Sequence, residues 1–323
     1  MVKVAVTQQE PIWFDIAGTV EKTCRLIEEA AQNGAVLIAF PEVWIPGYPM
    51  WIWFRPVDPD LSTMYIKSSP SYDSPYIEEI RTAAKKHKIA VVLGLSENSG
   101  NSLYIGQCII SSVGQILMKR RKLKPTHMER TIYGDAGGSS LDNVVELEGV
   151  GKVGTLSCFE NLQPLLKYHT ISQREQIHIS AWPPVQADED WKGLFSMSAE
   201  GVQILSQTYA MESTSYVLHC TSVLTSSGLS AMNIEHMKPG GGYAAIFAPD
   251  GRRITEPIPP DQEGILYAEL PLDGILPVRQ FVDVVGHYSR PDLLWLGVDK
   301  KEKRCVRSHE VEGQLLDGGE KEV

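Results

Sequence analysis

Near its start the chain alternates, with Val2, Val4 and Val6 on one side and Lys3, Ala5 and Thr7 on the other, the period of a strand. Asp15 then stands where a helix cap belongs, ahead of Val20, Cys24, Ile27 and Ala31 at helical spacing and Gly34 as a stop, which makes Cys24 core filling. Residues 35–40 are an unbroken apolar run of strand length and predict a strand buried on both faces. Pro41, Pro46 and Pro49 forbid a regular helix over the next stretch, so it reads as an irregular loop holding Trp44, Tyr48, Trp51, Trp53 and Phe54. Ser74 and Pro75 open a second helix reaching about His87. Residues 89–95 and 103–111 read as a hairpin, and a turn at Val113 and Gly114 leads into a strand over 115–121. The order then echoes itself: strand 152–157, helix 162–174, strand 176–181, helix 195–211, strand 216–221, and a hairpin turning at Pro249, Asp250 and Gly251.

Alternating strands and helices predict an α/β fold with helices covering sheets. The echo between halves, without a residue-level repeat, suggests a pseudo-twofold sandwich. With 323 residues, 43% of them apolar, the chain can bury a full core. No stretch resembles a linker, so residues 1–297 are expected to form one domain, followed by a polar, poorly ordered tail over 298–323.

Thirty Lys and Arg against forty Asp and Glu leave a net charge of −10, a field that repels phosphate backbones and anionic headgroups. Neither nucleic acid nor a membrane is expected as a partner. Residues 35–54 have the length of a membrane span, but their prolines break it. The basic run of Lys119, Arg120, Arg121, Lys122 and Lys124 reads as a solvated strand edge, with one lysine excepted below. Cys24, Cys108, Cys158, Cys220 and Cys305 are scattered without C-x-x-C or His/Cys clustering, which disfavours both a disulfide framework and a zinc site. The opening strand lacks the regions of a signal peptide, so the expected location is cytoplasmic.

In open α/β sheets, ligands gather at the carboxyl ends of strands. Three residues of chemical potential fall at such ends: Glu42 past Phe40, Lys122 past Arg121 and Cys158 past Ser157. Cys158, between a strand and a helix, has its thiolate favoured by the helix dipole; the alternative is a buried structural thiol, a role that suits Cys108 and Cys220 better. A thiolate attacking a carbon–nitrogen multiple bond needs a group to take and return protons and a cation for the charge that develops. Glu42, alone among apolar neighbours, suits the first role, although it could equally cap backbone amides. Pattern alone does not separate Lys122 from Lys124, and Glu129 is either a second site carboxylate or an ion-pair partner of Arg130. His127, His169, His178 and His219 offer a rival Cys/His dyad, none in a distinguishing context. Residues 149–154 match G-x-G-x-x-G but precede a strand and so form a turn, and the glycines at 240–242 lack the ending of a phosphate loop.

Four segments resemble the nitrilase branch of the carbon–nitrogen hydrolase superfamily. Residues 40–49 (FPEVWIPGYP) are similar to its glutamate motif, 121–130 (RKLKPTHMER) to its lysine motif, 157–165 (SCFENLQPL) to its cysteine motif and 285–291 (VGHYSRP) to a late segment. The likeness runs from the first strand to about residue 297. It implies a four-layer α-β-β-α sandwich with Glu42 as general base, Lys122 rather than Lys124 as the stabilising cation, Cys158 as nucleophile and Glu129 as a positioning carboxylate. No metal or organic cofactor is implied, and a homo-oligomer built from dimers, extending to spirals or filaments, is. The implied reaction turns a nitrile into carboxylic acid and ammonia through a cysteine thioimidate and thioester. The alternatives are hydration stopping at the amide, including that of cyanide, amide hydrolysis, or an inactive oligomeric scaffold. The family usually places Trp and His around the glutamate after the cysteine; here Phe159 and Asn161 stand there, and the Phe159 amide can still serve an oxyanion. Phe159, Trp182 and Tyr48 are expected to line an apolar pocket for arylaliphatic or aromatic nitriles.

Overall fold

The computed structural model describes residues 1–190 and 193–301. Cys305 and nearly all of the expected tail lie outside the described residues. Strand β1 (Val2–Gln9) is followed by helix α1 (Ile16–Gln32), where the Asp15 carboxylate accepts from the Gly18 amide as N-cap. Next come β2 (Leu37–Ala39), the aromatic loop, α2 (Pro59–Ser68) and α3 (Pro75–His87). Strands β3 (Ala90–Ser99), β4 (Ser102–Ile110) and β5 (Ile116–Arg121) form an antiparallel meander. Strand β6 (Val144–Leu147) turns into β7 (Gly151–Ser157), and then follow α4 (Pro164–Ser172), β8 (Ile177–Ala181), α5 (Ala199–Ser213) and β9 (Tyr216–Ser222). The described chain closes with α6 (Ser226–Ala231), β10 (Ala245–Phe247), β11 (Gly264–Leu270) and α7 (Ile275–Phe281).

The strands run in the order β5-β4-β3-β2-β1-β9-β8-β7-β6, with β10 beside β9 and β11 beside β1. The sheet folds over at the end of β1, where Gln8 and Gln9 pair with Thr221 and Ser222 while Val2 to Gln8 pair with β11. Period-two alternation then sorts the side chains into layers. Val4, Val6, Leu37 and Val92 meet Val153, Ile177, Ile179 and Leu218 between the two halves. Ala5, Ile38, Val91 and Leu93 face outward against α1 and α3, and Leu156 and Val217 against α4 and α5. This is the expected four-layer α-β-β-α sandwich. Among the described residues, no helix is long and apolar enough to cross a membrane.

Several expectations need correction. The basic run is not uniformly solvated: Lys119 and Lys124 are exposed, but Arg120 is buried beside Lys122 because β5 alternates it inward. Cys24 is half-buried at the rim of its cluster. The helix expected over 195–211 is a single turn, Phe195–Met197, and then α5, because the Ser198 hydroxyl caps the Gly201 amide. Helices α2, α6 and α7 and strands β6 and β11 were not anticipated. The glycine-rich stretch over 149–154 is the turn and first residues of the β6–β7 hairpin, with Gly149 and Gly151 at φ of 74° and 104°.

Candidate active site

Glu42, Lys122 and Cys158 each leave the carboxyl end of a strand. After β2 the chain keeps one more ladder bond, from the Phe40 amide to the Val92 carbonyl, and turns so that the Glu42 amide bonds to the Trp182 carbonyl just past β8. The turn crosses β3 at a glycine; a Cβ on Gly94 would sit 2.2 Å from the Pro41 carbonyl oxygen. Past β5, the Lys122 amide bonds to the Ile105 carbonyl at 2.8 Å, which sends its side chain inward. Past β7, Cys158 begins a single 3-10 turn over Cys158–Leu162 with φ of 50°, an uncommon conformation for a residue with a Cβ.

These turns bring one oxygen each of Glu42 and Glu129 and the Cys158 sulfur within 4.8 Å of one another. Lys122 Nζ lies 2.9 Å from Glu42 and 2.7 Å from Glu129. Glu129 also accepts from the Thr126 amide at 2.6 Å and from Tyr48 Oη at 3.0 Å, and Tyr48 in turn accepts from Trp53 Nε1. Glu129 therefore pairs with Lys122 rather than Arg130, which is exposed. Three donor atoms at this spacing could hold a cation, but the Lys122 ammonium is already bonded to both carboxylates. Lys124 instead pairs with Asp135 at the surface.

Burial dominates the electrostatics. It pushes the Glu42 carboxyl up to about 8, Lys122 opposing and Glu129 assisting. Glu42 Oε2 has no hydrogen-bond partner, so it is the oxygen open to a new proton. Burial alone would lower Lys122, yet the Glu129 and Glu42 carboxylates hold it well above its ordinary range, as a fixed ammonium. The Cys158 thiol is held well above its ordinary value by burial, against the pull of Lys122 and a bond from the Phe159 amide. This corrects the expected helix-dipole effect, because α4 begins only at Pro164. The resting sulfur is therefore a thiol.

A pocket of about 800 Å³, counting its mouth, opens onto the sulfur. Tyr48, Phe159 and Trp182 are among the residues that line it, Phe159 lying edge-on to Trp182 at 5.8 Å. Met50, Trp53, Phe54, Val185, Met197 and Met237 complete an almost wholly apolar wall that sequence patterns did not assemble. No histidine lines it among the described residues. His127 stacks on the outer side of Trp53, His169 bonds to the Leu141 carbonyl, and burial drives His219 down to about 3, so that it stays neutral.

Sequence reasoning also missed Arg120 and Glu160. The Glu160 carboxylate accepts two bonds from Arg120 and one each from the Leu123 and Ser157 amides, the residues next to Lys122 and Cys158. Burial works against its charge, but Arg120 keeps it ionised. The capping-box spacing of Ser157 to Glu160, repeated from Thr126 to Glu129, was the signal available.

The family model described as carbon-nitrogen hydrolase matches residues 3–280. The chain is 59% identical over 315 residues to an arylacetonitrilase of Aspergillus niger, covering 97% of this chain and 92% of the relative. It is 56% identical over 319 residues to an arylacetonitrilase of Macrophomina phaseolina, covering 94% and 93%. Among solved structures, the NitFhit protein of C. elegans superposes with a TM-score of 0.70 at 18% identity, covering 94% of this chain and 68% of that one. An amidase of Nesterenkonia sp. AN1, bearing acrylamide added at its active-site cysteine, superposes with a TM-score of 0.63 at 16% identity, covering 87% and 100%. These two likenesses concern the fold.

Proposed function

The chain belongs to the carbon–nitrogen hydrolase family, and from that premise we propose that it is a nitrilase acting on arylacetonitriles, with Cys158 as its nucleophile. The observation that carries the reading is the convergence of Glu42, Lys122, Glu129 and Cys158, of which Glu129 and Cys158 line an aromatic pocket and Glu42 and Lys122 stand buried behind them. An aryl ring fits walls of Trp, Phe and Met, and the names of the curated relatives point to the same substrate class.

The thiol proton passes to Glu42 as the sulfur adds to the nitrile carbon, and the nitrogen takes that proton to give the thioimidate. Water then adds, losing a proton to Glu42 that passes on to the nitrogen, and the new hydroxyl gives up its second proton to the nitrogen as ammonia leaves and the thioester forms. A second water releases the carboxylic acid and returns the proton to sulfur. Lys122 and the Phe159 amide face the atoms on which negative charge gathers, and Glu129 fixes Lys122. Were the tetrahedral intermediate to expel sulfur instead, the product would be the amide.

Incubation with phenylacetonitrile and a nitrile panel, resolving acid, amide and ammonia, tests the reading. Cys158→Ala is expected to fold and to release no ammonia from any of them; retained turnover would refute it. An inactive scaffold would show no turnover in the wild type either. The chain is further proposed to self-associate, a reading supported by the exposed Phe281, Leu293, Leu294 and Trp295 late in the described chain.

A further inference from the structure

Behind the cysteine turn lies a buried polar cluster that the chemistry above leaves unused. Tyr209 of α5 donates to Glu175 Oε1; Glu175 Oε2 and His178 Nδ1 are 2.9 Å apart. His178 Nε2 lies 3.0 Å from Asn161 Oδ1, and Asn161 Nδ2 donates to the Cys158 carbonyl at 2.9 Å. All four side chains are buried, and the His178 ring stacks on Tyr209 at 3.8 Å. Strand β7 makes room with a glycine: a Cβ on Gly154 would fall 1.9 Å from Glu175 Oε2.

Counting donors fixes the direction of both bonds that Asn161 makes. The Cys158 carbonyl can only accept, so Asn161 must turn its Nδ2 toward it and its Oδ1 toward His178. Oδ1 also only accepts, so His178 carries a hydrogen on Nε2. One proton then lies between Nδ1 and Glu175, whichever atom holds it, because Oε1 is occupied by Tyr209. The Asn161 amide has no second orientation without setting two acceptors face to face.

We propose that Glu175 and His178 are positioning residues for the nucleophile. They lock the Asn161 amide, which grips the Cys158 carbonyl and holds the left-handed backbone that aims the sulfur at Glu42. A non-glycine residue at φ of 50° persists only where its surroundings over-determine it. The inference rests on Cys158 being the nucleophile.

The test compares His178→Leu, Glu175→Leu and Glu175→Gln with the wild type and Cys158→Ala. It measures kcat and KM for phenylacetonitrile ammonia release and the rate at which iodoacetamide alkylates the Cys158 peptide. His178→Leu is expected to lower kcat roughly 10- to 100-fold, the scale of a misplaced reacting group, with KM within about threefold and alkylation slowed in parallel. Glu175→Gln can still accept from Tyr209 and donate to Nδ1, leaving His178 its Nε2–H, so it is expected to recover most of the kcat lost in Glu175→Leu. Wild-type kcat and alkylation in His178→Leu would overturn the proposal, as would a Glu175→Gln variant as impaired as Glu175→Leu. If the leucine variants fail to fold, Asn161→Leu against Glu175→Gln carries the same comparison. Turnover by Cys158→Ala would instead refute the nucleophile reading. An inert Cys158→Ala beside an unimpaired His178→Leu would remove only the positioning role.

Discussion

Glu42 is pulled two ways, burial and Glu129 raising its proton affinity and Lys122 lowering it, with burial prevailing at about 8. In the role of base proposed for it, Glu42 must be ionised to act, so a raised carboxyl moves the acid limb of the rate profile upward from the ordinary carboxylate range. We expect kcat/KM to climb about tenfold per pH unit through pH 6 to 7 and to level off near pH 8. A profile already flat at pH 6 would contradict that electrostatic account. Glu42→Gln is expected to lose at least about two orders of magnitude in kcat, checked in the same ammonia assay. The positions of Glu42 and Cys158 were legible because each follows a readable strand, whereas Lys122 was singled out only by the resemblance of its segment. Their partners were less so: Lys122 finds Glu42 eighty positions away, and nothing local separates it from exposed Lys124. Arg120 was misread for the same reason, since burial of a cation depends on a carboxylate that only the folded chain supplies.

Two capping boxes of one design stand beside Lys122 and Cys158, and the second joins the segments that carry them. Glu160 bonds to the amides beside Lys122 and Cys158, with Arg120 neutralising it in a fully buried pair. Removing one partner strands the other charge in the core, so Arg120→Met is expected to cost about 3–5 kcal/mol of stability. Urea denaturation checks this, and a cost under about 1 kcal/mol would show that the pair does not tie the elements. Strands β2 and β3 were readable from continuous apolar runs, and β8 from the alternation of Ile177, His178, Ile179 and Ser180. Helix α2 was not, since it turns only Leu61, Tyr65 and Ser68 inward, and β11 was hidden because its mixed surface makes sense only against β1.

The layered architecture followed from alternation of strands and helices, whereas the fold-over at β1 did not, because no local pattern says where a sheet bends. The exposed apolar side chains of α7 and the segment beyond it lie at one end of the described chain, away from any core cluster. Light scattering is expected to give a mass that is a multiple of 35.8 kDa, reduced by Leu294→Glu with Trp295→Lys. A monomeric wild type would contradict self-association. The seam itself has a bearing on biogenesis. Strand β1 leaves the ribosome long before β11, yet one of its edges is closed mainly by that strand, Val2 pairing with Leu270. Until that late partner emerges, a nascent chain carries an open edge of strand, the kind of edge that a neighbouring chain can capture.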